Sequence, residues 1–385
     1  VDFDNPPLRT LAGLVSNRVE PAAVPKAAWP EIIDTARRHG LGPMLFRICK
    51  KAGVLDAVPH PEDLRRAAWA AAARHALLET ALLTTGRVLN QADIPAVWLK
   101  GIVLARTVYP GPWLRPMSDL DVLIPKEKLT PAVEALNGIG FSVVRDPGLL
   151  LPQDSPLPMH ARHHLVLKGP PPAHLTLELH YHLVTRSDRV LSAEGLHWFL
   201  DQTEAVRIGA DQVIGQTPEA ALLYGIAHTF LQHGAADFRL LWCLDLHLLI
   251  TRRPIDWHAV VEQARVLKWT HAVETALTRL SDLFHTPIPP WVLEYLQTRR
   301  PADEDTDKLR RMGADGRRWE RFFWKLRGLG PAQAAQLAIR TAFPPPAFVR
   351  THYRVPRKTF LLPWYLHRWK HQVREIRAWM LNRRR

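Results

Sequence analysis

The chain has 385 residues, 47% of them hydrophobic and 23% charged, with 14 Trp spread along its length. That is more than one domain of roughly 100–200 residues needs, and it excludes disorder except in local segments. The formal charge of +14 is uneven: residues 1–300 hold 31 Lys/Arg against 30 Asp/Glu, while residues 301–385 hold 20 against 7. A contact with nucleic acid, an anionic membrane or an acidic partner is therefore a question about the C-terminal segment alone.

Only Cys49 and Cys243 are present, far apart, which excludes a disulfide framework and a cysteine zinc site and fits a reducing, cytoplasmic setting. The first residues, Val1 to Pro7, lack the basic and then apolar pattern of a secretory signal. Apolar runs such as Leu240 to Ile250 reach about half a bilayer span, and Asp245 interrupts that one, so no transmembrane segment is expected.

From Trp29 to Gln91 apolar residues recur at helical spacing, as in Ile32, Ala36, Leu41 and Leu45, then Leu64, Ala68 and Leu82. The Ala67 to Ala73 run suits close helix packing. The period then changes. Ile94 to Leu99 reads as a buried strand, Lys100-Gly101 as a turn, Ile102 to Tyr109 as a short helix and Leu120 to Ile124 as a second strand. A helix over Leu129 to Leu136 and a strand over Phe141 to Val144 follow. After a Pro-rich loop from Pro147 to Pro158, His164 to Leu167 and Leu175 to His180 read as a hairpin. Helical periodicity returns over Ala220 to His233, Leu240 to Ile250, Trp257 to Val266 and His271 to Phe284. The expected organisation is an N-terminal helical region (1–90), an α/β core (91–210), a helical module (211–300) and a basic, aromatic-rich C-terminal segment (301–385).

Chemistry concentrates in Ser118-Asp119-Leu120-Asp121-Val122-Leu123-Ile124. Residues two apart on a strand face one side, about 6.5 Å apart, so Asp119 and Asp121 point together while Leu120 and Val122 enter the core. Two such carboxylates repel unless a divalent cation sits between them. The alternating strand Leu175 to His182 puts Thr176, Glu178, His180 and His182 on one face. If it pairs near the first, Glu178 is a third carboxylate, and three suit two Mg²⁺ about 3.5–4 Å apart in phosphoryl or nucleotidyl transfer. Leu99-Lys100-Gly101 before a helix allows backbone N–H groups and a lysine to approach a phosphate.

In this order the motifs resemble a known family. Val97 to Ala105 through Tyr109-Pro110, then Arg115 to Ile124, is similar to the uncharacterised bacterial nucleotidyltransferase family of the DNA polymerase β-like superfamily. Leu177-Glu178-Leu179-His180, Ala227-His228, Arg239 to Leu246 and Ile255-Asp256-Trp257 extend the likeness, over about residues 30–290. The resemblance implies an α+β fold, with a polymerase-β-like core of small mixed sheet and helices flanked by helical modules. It implies a two-metal, Mg²⁺-dependent enzyme, with Mn²⁺ as a substitute, that transfers NMP from an NTP to a small-molecule, peptide or RNA acceptor. Asp119 and Asp121 bind metal and Glu178 is the third carboxylate; Lys100, Gly101, Arg115 and Ser118 face the nucleotide; His180, His228 and Arg239 support them or touch substrate. One departure stands out: the superfamily usually has Gly-Ser or Gly-Gly where this chain has Gly101-Ile102. Ile102 cannot donate to a phosphate, which leaves Lys100 and Arg115 to compensate.

Rival readings remain. His160, His163, His164, His174, His180 and His182 crowd one region and raise a zinc hydrolase, although no H-E-x-x-H occurs. His180 shares a face with Glu178 and is expected behind a carboxylate. His228 and His233, five apart on a helix, miss the i,i+4 spacing that aligns two ligands. Arg239, with Asp237, Asp245 and Trp242, fits either a phosphate contact or an ion pair in a helix interface. In the tail, Phe322, Phe323, Trp324, Trp364, Tyr365, Trp369 and Trp379 alternate with Arg and Lys, and His367 to Arg385 reads as an amphipathic basic helix. Residues 317–385 are thus the expected polyanion contact; a non-catalytic nucleic-acid or membrane-surface binding protein is one alternative, and a nucleotidyltransferase whose acceptor is tRNA or another RNA is the second.

Overall fold

The computed structural model describes residues 3–144, 163–184, 191–233, 238–302, 304, 331–344, 346–353, 355–356 and 359–382. Asp237, His160 and the whole Pro147 to Pro158 loop lie outside them, as do Phe322, Phe323 and Trp324. The chain divides into two compact units, Val1–Val143 with Arg162–Ala314, and Val144–Ala161 with Asp315–Arg385.

The first unit opens with helices α1 (Pro6–Val15), α2 (Trp29–Arg38), α3 (Gly42–Lys51) and the long α4 (Pro61–Gln91). Asn5 caps α1, its side chain accepting from Leu8 N–H with prolines at the first turn, which lack the N–H groups a helix start leaves unbonded. In α4, Leu64, Ala68, His75, Leu78, Leu82, Thr85 and Leu89 are buried, a stripe at steps of three, four and seven that marks one helix face. The sheet elements follow: β1 (Val97–Leu99), α5 (Gly101–Thr107), β2 (Asp119–Leu123), α6 (Leu129–Asn137), β3 (Ser142–Val143), β4 (His164–Lys168) and β5 (Thr176–His180). After α7 (Ala193–Asp201) come β6 (Thr203–Ile208) and β7 (Asp211–Gln216).

Seven strands form one mixed sheet in the order β3-β4-β5-β2-β1-β7-β6. Among the described strands only β2 with β5 and β1 with β7 run parallel. The expected β4–β5 hairpin is present and antiparallel, Leu167 facing Leu177. The β6–β7 hairpin was not foreseen in the sequence; its turn is carried by Gly209, whose φ of +63° is open to glycine without Cβ strain. Leu120, Val122, Leu177 and Leu179 pack under the sheet with Leu78, Leu82 and Leu89 of α4 and Leu136 of α6.

Helices α8 (Pro218–Ile226), α9 (Leu240–Arg252), α10 (Trp257–Val266), α11 (Thr270–Phe284) and α12 (Pro290–Thr298) complete the unit. Thr217 caps α8 and Asp256 caps α10. Their core is continuous with α1 to α3: Leu11, Ile32 and Leu45 lie in one cluster with Leu223, Leu244 and Leu277. Polar contacts bind the same seam, with Leu240 N–H donating to His39 Nδ1 at 3.2 Å and Arg9 3.1 Å from Asp282.

One buried polar knot joins sheet and helices. Arg115 donates to Asp245 through Nε (2.8 Å) and Nη2 (2.7 Å), and Tyr109 O–H donates to the same carboxylate at 2.7 Å. All three side chains are buried. Arg115 stands at the head of the loop that leads into β2, so the pair anchors that loop to α9.

In the second unit, α13 (Pro331–Ala342), α14 (Pro346–Tyr353) and α15 (Leu362–Asn382) are helical. Trp369 Nε1 donates to the Ala342 carbonyl at 2.6 Å, and Tyr365 O–H to that of Pro344, so α15 folds back on α13. The expected basic helix is therefore real and begins five residues earlier than the sequence suggested. His367, Lys370, Arg374 and Arg377 are exposed along it. Among the described residues no helix is long and apolar enough to cross a membrane.

Two outcomes follow. Removing one partner of the buried Arg115–Asp245 pair strands the other charge and should cost roughly 3–5 kcal/mol in urea unfolding. The double variant Arg115→Met/Asp245→Leu should cost clearly less than the sum of the singles; strict additivity would show that the two do not act as a pair. His247, donating to Thr286 Oγ1 at 2.9 Å, is lowered to about 4 by burial and by Arg18 and Arg252. Its contribution to stability is complete above about 6.5, the unfolded value, and is lost as pH falls from there toward 4. His247→Gln should lose less stability than the wild type between pH 7 and 4.5, and equal slopes would contradict this.

Candidate active site

The parallel register of β2 and β5 decides the site: Asp119 lies opposite Thr176 and Asp121 opposite Glu178. Neighbouring strands are about 4.8 Å apart, so two carboxylates from distant parts of the chain meet across one ladder step. On the other side β1 pairs antiparallel with β2, Leu99 opposite Asp121, so the chain leaving β1 passes the same carboxylate. There Lys100 takes φ +46°, a left-handed conformation that costs a non-glycine residue of order 1–3 kcal/mol. Its Nζ donates to Asp121 Oδ1 at 3.1 Å and lies 5.2 Å from the centre of the Tyr224 ring. Gly101 is needed next to it, because a Cβ there would come within 2.7 Å of Arg115 Nη1 and 2.8 Å of Met117 Sδ.

Asp121 is buried, and burial alone would favour its neutral form; Lys100 and a hydrogen bond from His180 outweigh that and hold it well below the usual carboxylate range. His180 Nε2 lies 2.9 Å from Asp121 Oδ1 and 3.4 Å from Glu178 Oε2. His180 is itself buried, yet its bonds to Asp121 and Glu178 raise its pKa. Glu178 is lowered despite burial, chiefly through His180. Asp119 goes the other way: burial, then Asp121 and Glu178, push it up. The three carboxylates therefore sense one another, and Asp119 carries the uncompensated share of their repulsion.

All of this opens on one cleft of about 730 Å³ in the first unit. Lys100, Gly101, Arg115, Ser118, Asp119, Asp121, Glu178, His228 and Arg239 line it, while His180 lies behind the wall. Ile102 turns away into the sheet core. Arg115 reaches the wall, but two of its nitrogens are engaged by Asp245. Arg239 lies over Trp242, 5.8 Å from its ring centre, and is exposed.

His228 and His233 both line the cleft, and their five-residue spacing does not keep them apart. The segment Ala227–His233 is a π-helix, in which residues five apart become neighbours, so the two rings meet at 4.5 Å and both pack on Trp242. Sequence reasoning also passed over Tyr224 and Gln232. Gln232 bridges His228 Nδ1 (3.2 Å) and His163 Nε2 (3.1 Å), a link between helix and hairpin that no local pattern announces.

The donor set suits a divalent cation. Asp121, Glu178 and His180 each offer a ligand atom within 4.8 Å of the others. Asp119 lies outside that group but shares the cleft, and its repulsion by the other two carboxylates is what a cation would relieve.

A family model described as an uncharacterised nucleotidyltransferase matches residues 25–285. No curated protein matches the chain. Among solved structures, that of an antigenic nucleotidyltransferase-like protein from Paracoccidioides brasiliensis is similar over 56% of this chain and 95% of that one. The identity is 15% and the TM-score 0.38, a likeness too loose to carry an assignment. The family match spans the carboxylate strands, the turn at Gly101 and the helices that close the cleft. The chain belongs to the uncharacterised nucleotidyltransferase family.

Proposed function

We propose that the protein is a Mg²⁺-dependent, polymerase-β-like nucleotidyltransferase that moves NMP from an NTP to an acceptor nucleophile. The observation that carries this reading is the convergence of Asp119, Asp121 and Glu178 on a cleft that also presents Lys100 and Gly101. Mg²⁺, two ions with Mn²⁺ as substitute, would be held by Asp119, Asp121 and Glu178 and would supply neutralisation of the triphosphate and activation of the acceptor. Lys100 holds Asp121 ionised and adds positive charge where the triphosphate lies; Gly101 lets backbone approach it, and Arg115 and Ser118 face the same chamber. Glu178 orients the acceptor and takes its proton. The acceptor bonds to the α-phosphorus as the bond to the bridging oxygen breaks, and pyrophosphate leaves. His180 positions both Asp121 and Glu178, while His228 and Arg239 line the side where base or acceptor rests.

Incubation with Mg²⁺ and labelled NTPs tests the reaction, with candidate acceptors drawn from small molecules, peptides and RNA. Asp119→Asn should lower transfer by at least about a hundred-fold, the scale of losing one strong electrostatic contact. Because it also removes a repelled charge, it should unfold at the same or a higher urea concentration than the wild type. Transfer undiminished in Asp119→Asn, or absent with every acceptor class, counts against the proposal.

The exposed row His367, Lys370, Arg374 and Arg377 on α15 supports a polyanion contact by residues 317–385. RNA binding by the full chain should weaken steeply with salt, and replacing Lys370, Arg374 and Arg377 with Gln should reduce the slope of log K against log[salt] by about 2. A flat salt response removes this contact.

A further inference from the structure

The second unit carries an amphipathic face that the transfer reaction does not use. Four side chains of α15 hold it to the end of α13. Trp369 Nε1 donates to the Ala342 carbonyl and Tyr365 O–H to that of Pro344, while Arg368 Nη2 and Gln372 Nε2 reach the Thr341 carbonyl at 3.5 and 3.4 Å. At 3.6 residues per turn these four lie within about 100° of the helix circumference, so they fix how α15 is rotated and which face it turns outward.

On the outward face Leu362, Leu366 and Val373 fall within about 40° of one another. They are 48%, 52% and 62% exposed. The adjoining 80° or so hold Arg377, Lys370, Arg374 and His367, all exposed. The aliphatic stripe runs on toward α13. Trp369, three residues after Leu366 and four before Val373, meets the ring of Phe343 at 4.9 Å, and Phe343 lies one helical turn beyond Ile339, both of them exposed. Single exposed apolar residues are ordinary, but a run of five large ones beside a row of cations marks an interaction surface.

The two stripes together select the partner. A nucleic acid would neutralise the cations yet leave Leu362, Leu366 and Val373 in water, because aliphatic side chains give a base no ring to stack on. An anionic bilayer meets both: headgroup phosphates lie level with the cations, and the acyl boundary takes the aliphatic stripe. Residues 301–385, with 20 Lys/Arg against 7 Asp/Glu, carry the charge that complements such a surface. The 21 residues of α15 run about 31 Å, and among the described residues no helix is apolar enough to cross a membrane, which suits a helix lying in the interface plane.

We propose that the α13–α15 face docks the chain on an anionic lipid bilayer, with Leu362, Leu366, Val373, Phe343 and Ile339 entering the acyl boundary and Lys370, Arg374 and Arg377 meeting the headgroups. This rests on the polyanion reading of residues 317–385 and names the partner; it does not depend on the transfer reaction.

The test sediments the full-length protein with vesicles of phosphatidylcholine and phosphatidylglycerol, about two to one, and with vesicles of phosphatidylcholine alone, and measures RNA binding in parallel. Binding to the mixed vesicles is expected, at least about tenfold tighter than to the neutral ones. Leu366→Asn/Val373→Asn should weaken vesicle binding at least about tenfold and change RNA affinity by less than about twofold. Lys370→Gln/Arg374→Gln/Arg377→Gln should weaken vesicle binding about a hundredfold. Val266→Asn, at a comparably exposed position on α10, should leave it unchanged. All the substituted side chains are exposed, so urea midpoints should match the wild type and lost binding is not lost folding. Failure to bind the mixed vesicles, or equal binding by the wild type and Leu366→Asn/Val373→Asn, overturns the proposal. Binding to RNA but not to vesicles overturns it and leaves the polyanion contact standing, whereas binding to neither removes both.

Discussion

The first unit is organised around a carboxylate kept ionised where little water reaches it. Asp121 holds its charge because Lys100 and His180 converge on the same oxygen. Each partner makes its own demand on the chain. Lys100 reaches Asp121 from a left-handed backbone position at the end of β1, and the residue after it must lack a side chain to admit Arg115. His180 reaches it from the far end of β5, which requires β5 to run parallel to β2 in one register. A slip of one residue would turn Glu178 toward α4 and bring a leucine to the cleft.

Much of this edge was legible in the sequence because it is local. The alternation of Asp119, Leu120, Asp121 and Val122 fixes which side chains face out once the strand exists, and the same holds for Leu177, Glu178 and Leu179. That β5 would settle beside β2 in parallel could not be read, since strand pairing across more than fifty residues depends on packing rather than on either strand's pattern. The crowd of histidines was visible, yet only the β4–β5 register selects His164 and His180 as a facing pair; the intervening segment is too long for turn chemistry to set it. Arg115 is the sharpest contrast. From sequence it is a cation beside the acidic motif, while in the fold two of its nitrogens belong to Asp245, 130 residues away.

The helices tell a similar story at larger scale. Their existence follows from period and capping residues, as at Asn5, Thr217 and Asp256. Their partners do not: α1 to α3 and α8 to α12 share one apolar core although the whole sheet lies between them in sequence. The β6–β7 hairpin was passed over because it sits between helices α7 and α8, where a Gly-centred turn is easily taken for a linker.

The π-helical turn at Ala227–His233 holds one residue more than an ordinary helix would fit in the same span. Loss of a single amino acid there would restore the tighter winding, swing His233 off Trp242 and reshape one wall of the chamber while every strand kept its place. Insertion or deletion inside a helix usually displaces whatever follows it; here the change would fall on the cleft wall that carries His228 and His233.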